Sequence, residues 1–168
     1  MPTTTYGLFA TVAQTGTTTT WSDLNNIKAE PGLAIANLTS FNRTNVAEIS
    51  DPVSGSEIPG LATILEISIQ INARITVNTF GGGRARINID DSGDILEDLS
   101  TTLETHTVSG DLAFWGLNQT QARAFANGTV DLNIYMQETT PEVDEFQWAW
   151  VKVQFTYEGG LIAPAILF

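Results

Sequence analysis

From Ile64 to Ile71 the chain keeps a strict alternation, with Ile64, Glu66, Ser68 and Gln70 interleaved with Leu65, Ile67, Ile69 and Ile71. An extended backbone sends successive side chains to opposite faces, so this period of two predicts a half-buried β-strand over Ala62 to Val77. The period returns in Arg84-Ala85-Arg86-Ile87-Asn88-Ile89. It returns again from Phe146 to Tyr157, where Trp148, Trp150, Lys152, Gln154 and Thr156 alternate with Ala149, Val151, Val153, Phe155 and Tyr157. Thr105 to Ser109 and Val130 to Met136 read as further strands. Gly81-Gly82-Gly83 is expected to turn a hairpin between the first two strands, and Asp90-Asp91-Ser92-Gly93-Asp94 to end the second as a polar turn. Short strands at this spacing predict a sandwich or a barrel.

One helix interrupts the pattern. Asn118 is an N-cap residue with Gln121 three positions on, the arrangement of a capping box, and Gly128 after Asn127 is a left-handed stop. The expected helix is Gln119 to Ala126, two turns covering one end of the sandwich. Residues 1–20 are Thr-rich and read as an extended arm or first edge strand, because β-branched Thr restricts χ1 and favours extended backbone. Gly159-Gly160 acts as a hinge before Leu161-Ile162-Ala163-Pro164-Ala165-Ile166-Leu167-Phe168. Burying each Leu, Ile or Phe of that run is worth about 1.5–3 kcal/mol, so it is expected to lie against something.

Composition excludes several classes. The 168 residues are enough for one domain burying about 70% of its unfolded surface, and 7 Lys+Arg against 19 Asp+Glu leave a net charge of −12. So few basic residues argue against nucleic acid as a partner, since phosphate neutralisation needs clustered Lys and Arg. No apolar stretch approaches the length of a membrane span, and Met1-Pro2-Thr3-Thr4-Thr5 does not open a secretory signal. The absence of Cys removes disulfides, thiolate metal sites and thiol nucleophiles, and suits a reducing cytoplasm.

Four blocks resemble a known family. Trp21-Ser22-Asp23-Leu24-Asn25-Asn26-Ile27-Lys28-Ala29 is similar to a Trp-x-Asn-Pro-x-Asn-Ala opening, with Leu24 in place of the Pro. Ile58-Pro59-Gly60-Leu61-Ala62-Thr63-Ile64 resembles the family's entry to a long core strand. Asp111-Leu112-Ala113-Phe114-Trp115-Gly116-Leu117 resembles an Asp-Leu-Trp-Gly block, here with Ala113-Phe114 inserted. Val151-Lys152-Val153-Gln154-Phe155-Thr156-Tyr157 resembles the closing strand. Together, over residues 20 to 158, they resemble a β-sandwich domain of bacteriophage virion proteins.

The resemblance implies an all-β chain: an antiparallel, jelly-roll-like β-sandwich over 21–158, with one short helix and extended terminal arms at 1–20 and 159–168. It implies a non-enzymatic structural role in the virion, assembled in the host bacterial cytoplasm. The leading expectation is a capsid decoration or cement protein that bridges subunits of the major capsid protein and associates with itself, as a trimer. The residues expected to meet partners are Tyr6, Leu8, Phe9, Leu161, Ile162, Ile166, Leu167 and Phe168. The alternative is a tail-fibre, baseplate or adhesin module binding host-surface glycans; a third reading is a small hydrolase.

No catalytic residue, metal ligand or cofactor is expected. His106 is the only imidazole, and no Gly-x-Ser-x-Gly elbow accompanies it, so it reads as structural. The run Asp90, Asp91, Asp94, Glu97 and Asp98 offers hard oxygens for calcium, yet its spacing is not that of an EF-hand and a solvated turn is the simpler reading. Glu138, Glu142, Asp144 and Glu145 admit a paired-carboxylate glycosidase, with nothing to fix their separation. Phe80-Gly81-Gly82-Gly83-Arg84 lacks the Gly-Lys-Ser/Thr ending of a phosphate loop. Arg84 and Arg86 share a strand face that could meet an acidic patch on another subunit or simply face solvent. Trp148 and Trp150, two apart, are expected on the same face: a sugar platform if it points outward, core if inward.

Overall fold

The computed structural model describes residues 3–37, 43–52, 55, 57–77, 82–140 and 143–160. Among the described residues it is an antiparallel β-sandwich of jelly-roll type with one short α-helix: the sandwich that the alternation predicts as one of two options, the jelly-roll type that the resemblance implies and the helix that the capping residues mark. The strands are β1 (Thr3–Thr15), β2 (Ala34–Asn37), β3 (Val46–Pro52), β4 (Thr63–Val77), β5 (Gly82–Ile89), β6 (Ile95–Leu99), β7 (Glu104–Asp111), β8 (Leu132–Thr140) and β9 (Val143–Glu158); helix α1 is Gln119–Ala126. In the first sheet β9 pairs with β4 and β4 with β7, while β2 and the first half of β1 share the far side of β9. The second sheet runs β6-β5-β8-β3 and ends on the second half of β1.

β1 therefore belongs to both sheets. Thr3 to Leu8 pair with β9, and Phe9 to Thr15 pair with β3, so each half lies at the edge of its sheet and the strand closes one side of the sandwich. Phe9 sits at the crossover. Its ring lies 6.1 Å from that of Phe125 on α1, which in turn lies 5.7 Å from Phe155. Between the sheets, Ile67, Ile69, Ile71 and Ala73 of β4 with Val151, Val153 and Phe155 of β9 face Ala85, Ile87 and Ile89 of β5 and Leu132, Ile134 and Met136 of β8, all fully buried. β-Branched Ile and Val at every second position are what fit such a pleated, one-sided core.

Three sequence expectations are corrected. β4 and β5 do not form a hairpin: β4 pairs with β7 and β9, and β5 with β6 and β8 in the other sheet. Leu65 is the extra residue of a bulge against β9, which brings Ile64 onto the same buried face as Ile67 despite their odd spacing. A second bulge lies in β9: Asn72 pairs with Trp150 and Ala73 with Trp148, leaving Ala149 unopposed. Trp148 and Trp150 are consequently on opposite faces. Trp148 points into the core, its ring 5.7 Å from that of Trp21 and its indole N–H donating to the Trp150 carbonyl at 3.0 Å. Trp150 points to the outer face and is buried there, with the Lys152 ammonium 4.5 Å from its ring and Lys152 paired to Glu30.

Helix α1 spans the predicted residues. The Asn118 side chain accepts from the Gln121 N–H and the Gln121 side chain accepts from the Asn118 N–H, each at 3.0 Å. Gly128 ends the helix at φ +73°. Arg123 ties it to the turn before β4 by donating to the Pro59 carbonyl at 2.9 Å and to the Ala62 carbonyl.

Candidate functional site

The outer face of the second sheet carries the polar side chains that alternation leaves when the apolar ones turn inward. One rung across four strands reads Asn88 (β5), Asn133 (β8), Glu48 (β3) and Ala13 (β1). The next pairs Arg86 with Tyr135, and Thr15 with Val46. Two connections rise beside this face. Thr129 to Asp131 lead into β8, and Asp90 with Asp91 lead out of β5. Both aspartates have φ 53°, and the Ser92 N–H donates to the Ile89 carbonyl at 3.0 Å, so they occupy the two central positions of a type I′ turn.

The sheet face and the two connections border a half-open cleft of about 530 Å³. Tyr135 is the one aromatic ring among the described residues that line it. Glu48, Asp90, Asp91 and Asp131 supply carboxylates, Asn88 and Asn133 amides, and no Lys or Arg is among the described residues that line it. Just outside the lining, Asp94 accepts from Asn88 Nδ2 at 2.8 Å, from the Tyr135 hydroxyl at 3.0 Å and from Arg86 at 3.2 Å. Burial pushes the Asp94 carboxyl up, but the hydrogen bonds from Asn88, Tyr135 and Arg86, with the Arg86 charge, outweigh it and hold the group below its ordinary value. Burial and the Asp94 carboxylate raise the Tyr135 hydroxyl above its ordinary value, against the opposing charges of Arg86 and Arg43, whose guanidinium carbons each lie 5.9 Å from the ring centroid.

The other sequence candidates lie elsewhere. The acidic run does not converge on a point: Asp90 and Asp91 occupy the turn, Asp94 is held by its three donors, Asp98 pairs with Arg84 at 3.0 Å, and Glu97 faces His106. Among the described residues no group of three or more acidic or His side chains is placed to hold a metal ion. His106 turns inward on β7, its Nδ1 3.3 Å from Glu97 on β6, so the pair links the two sheets. Arg84 and Arg86 do share a face, and both pair with acids of their own chain. Glu142 and the side chain of Asp144 lie outside the described residues; Glu145 bonds Gln147.

Of the expected partner-binding residues, Phe9 is buried in its own core and Leu8 is half-buried on β1. The side chain of Tyr6, and Leu161, Ile162, Ile166, Leu167 and Phe168, lie outside the described residues. The cleft residues Tyr135, Asn88, Asn133, Glu48 and Asp131 were not singled out in sequence. The available signal was an outward series on two strands, Arg86 and Asn88 beside Asn133 and Tyr135, that is rich in amides and carries an aromatic.

No family model and no curated protein matches the chain. Among solved structures it is similar in outline to the CBM22-1 and GH10 modules of the Clostridium thermocellum endo-1,4-β-D-xylanase 10B complexed with xylohexaose. That match has 15% identity and a TM-score of 0.42 and covers 95% of this chain, but this chain spans only 28% of that one. The CBM22-1 xylan-binding domain of Paenibacillus barcinonensis Xyn10C matches at 10% identity over 89% of this chain and 85% of that one, with a TM-score of 0.39. A family 11 carbohydrate-binding module of a Clostridium thermocellum cellulosomal cellulase matches at 12% identity over 90% and 86%, with a TM-score of 0.36. Likeness at this level leaves the site to be read from this chain's own residues.

Proposed function

We propose that the chain is a non-catalytic binding module that takes a neutral glycan into the cleft beside Tyr135. The observation that carries this reading is the lining itself: one aromatic ring among amides and carboxylates, on a rigid sheet face, in a space large enough for a short oligosaccharide. A sugar offers apolar C–H surface to a ring and hydroxyl donors to fixed oxygens, and charge-assisted hydrogen bonds to carboxylates are the stronger kind. Four lining carboxylates without a lining cation oppose uronate, sulfated or phosphorylated glycans.

Titration calorimetry of the full chain against neutral hexaoses tests it, with maltohexaose, cellohexaose and mannohexaose as probes. Binding by the wild type and a loss of about tenfold or more in Tyr135→Ala, the size of a lost ring contact plus its polar tip, are expected. No heat at millimolar concentration with any neutral oligosaccharide would overturn it.

A second reading is favoured by a different observation, the apolar run at 161–168. It is a virion structural subunit, decorating or cementing a phage head by covering that run with a neighbour. The described chain reaches Gly160 against Pro59 and Ala62, beside Leu61, which is 90% exposed.

A further inference from the structure

Asp94 lies outside the cleft, yet the orientation of the cleft's amides follows from it. A carboxylate only accepts. Its Oδ1 takes a hydrogen from Asn88 Nδ2 at 2.8 Å, which commits one N–H of that amide and turns its Oδ1 toward β8. Asn88 Oδ1 then accepts from Asn133 Nδ2 at 3.2 Å, and the same nitrogen points at Asp91 Oδ1 at 3.5 Å. The nitrogen of Asn133 is thereby occupied, and the group it has left for a ligand is its carbonyl oxygen. Asp94 Oδ2 meanwhile accepts from the Tyr135 hydroxyl at 3.0 Å and from Arg86 at 3.2 Å, fixing the ring as well.

We infer that Asp94 is a positioning residue that sets the hydrogen-bonding polarity of the cleft, so that the Asn133 carbonyl joins the lining carboxylates in presenting acceptors and the site selects donor-rich ligands: polyhydroxyl sugars rather than glycans bearing carboxylates. The inference rests on the glycan reading for its ligand class, and on the hydrogen-bond chain alone for its mechanism.

Asp94→Asn is the decisive substitution. The oxygen of the introduced amide keeps its place toward Tyr135 and Arg86, and its NH₂ faces Asn88 Nδ2, donor against donor. Asn88 must flip, then Asn133 must flip in answer, and the cleft gains a donor where it had an acceptor. The expected result is a weakening of about tenfold or more toward the neutral hexaose that the wild type binds, with trigalacturonate gaining relative to it. Two readouts need no ligand. The side-chain amide resonances of Asn88 and Asn133 move in the NMR spectrum, and the Tyr135 hydroxyl, no longer beside a carboxylate, titrates closer to its ordinary value by ultraviolet absorbance. Asp98→Asn, which removes a carboxylate from the Arg84 pair on β6, is the control and leaves all three unchanged.

If the Asp94→Asn protein is folded and matches the wild type in hexaose affinity, amide shifts and tyrosine titration, the inference is wrong. If the amides and the tyrosine shift but the wild type binds no sugar, the positioning chain stands and the glycan reading falls.

Discussion

At the scale of single residues, the tryptophans show how the sequence motifs act. Trp21 donates its indole N–H to the Asn45 carbonyl at 3.2 Å, and Trp115 donates to the Ile67 carbonyl at 2.9 Å. Each ring fills core volume, and its one polar atom finds a backbone carbonyl to donate to. The motif around Trp115 supports that placement: the Asp111 side chain accepts from the Phe114 N–H at 2.8 Å, and Gly116 takes φ +68° directly after the ring. Trp115→Phe keeps most of the apolar surface but leaves the Ile67 carbonyl without its donor and a small cavity beside it. A loss of about 2–4 kcal/mol is expected from those two terms, read from urea denaturation at neutral pH; a loss under about 1 kcal/mol would show that the indole bond carries little.

At the scale of elements, the local signals were legible and the pairing was not. Helix α1 could be bounded from Asn118, Gln121 and Gly128 alone, because capping chemistry is contained within a few residues. Asn118→Ala removes the side-chain acceptor for the Gln121 N–H and half of the reciprocal box. It should lower the unfolding free energy by about 1 kcal/mol in chemical denaturation, with Phe125 still packed between Phe9 and Phe155. β4, β5, β7, β8 and β9 are readable in the sequence, whereas β2, β3 and β6 are short or broken by Ala, Ser and acidic residues, and gain their strand character from neighbours. The bulges were invisible for a physical reason. A period of two assigns faces only while every residue has a partner, and Leu65 and Ala149 have none on the opposing strand. One unopposed residue reverses the faces beyond it, which is why Trp148 is core and Trp150 is not, and why the two do not share the face that their spacing predicts. The cleft was hidden for the same kind of reason. Asn88, Asn133 and Glu48 are far apart in the chain, and only the register of β5, β8 and β3 places them on one rung.

At the scale of the whole molecule, the question is whether this sandwich works alone. Among the described residues one buried cluster joins the two sheets, and β1 pairs into both of them. A chain of net charge −12 also resists close approach to its own kind. Association driven by ion pairs would weaken as salt rises, whereas association driven by Leu161, Ile162, Ile166, Leu167 and Phe168 should persist or strengthen, because salt screens the mutual repulsion and leaves apolar burial intact. The second reading thus makes a prediction in two parts. Light scattering of the full chain should report an oligomer that tightens between low and high salt, and removal of residues 161–168 should return a monomer that still unfolds cooperatively. Leu61→Ser, at the exposed position beside the run's exit, should weaken the oligomer without affecting the sandwich. A full chain that stays monomeric at every salt concentration, or a deletion that assembles as before, rules out this run as the means of assembly and leaves the cleft as the molecule's working surface.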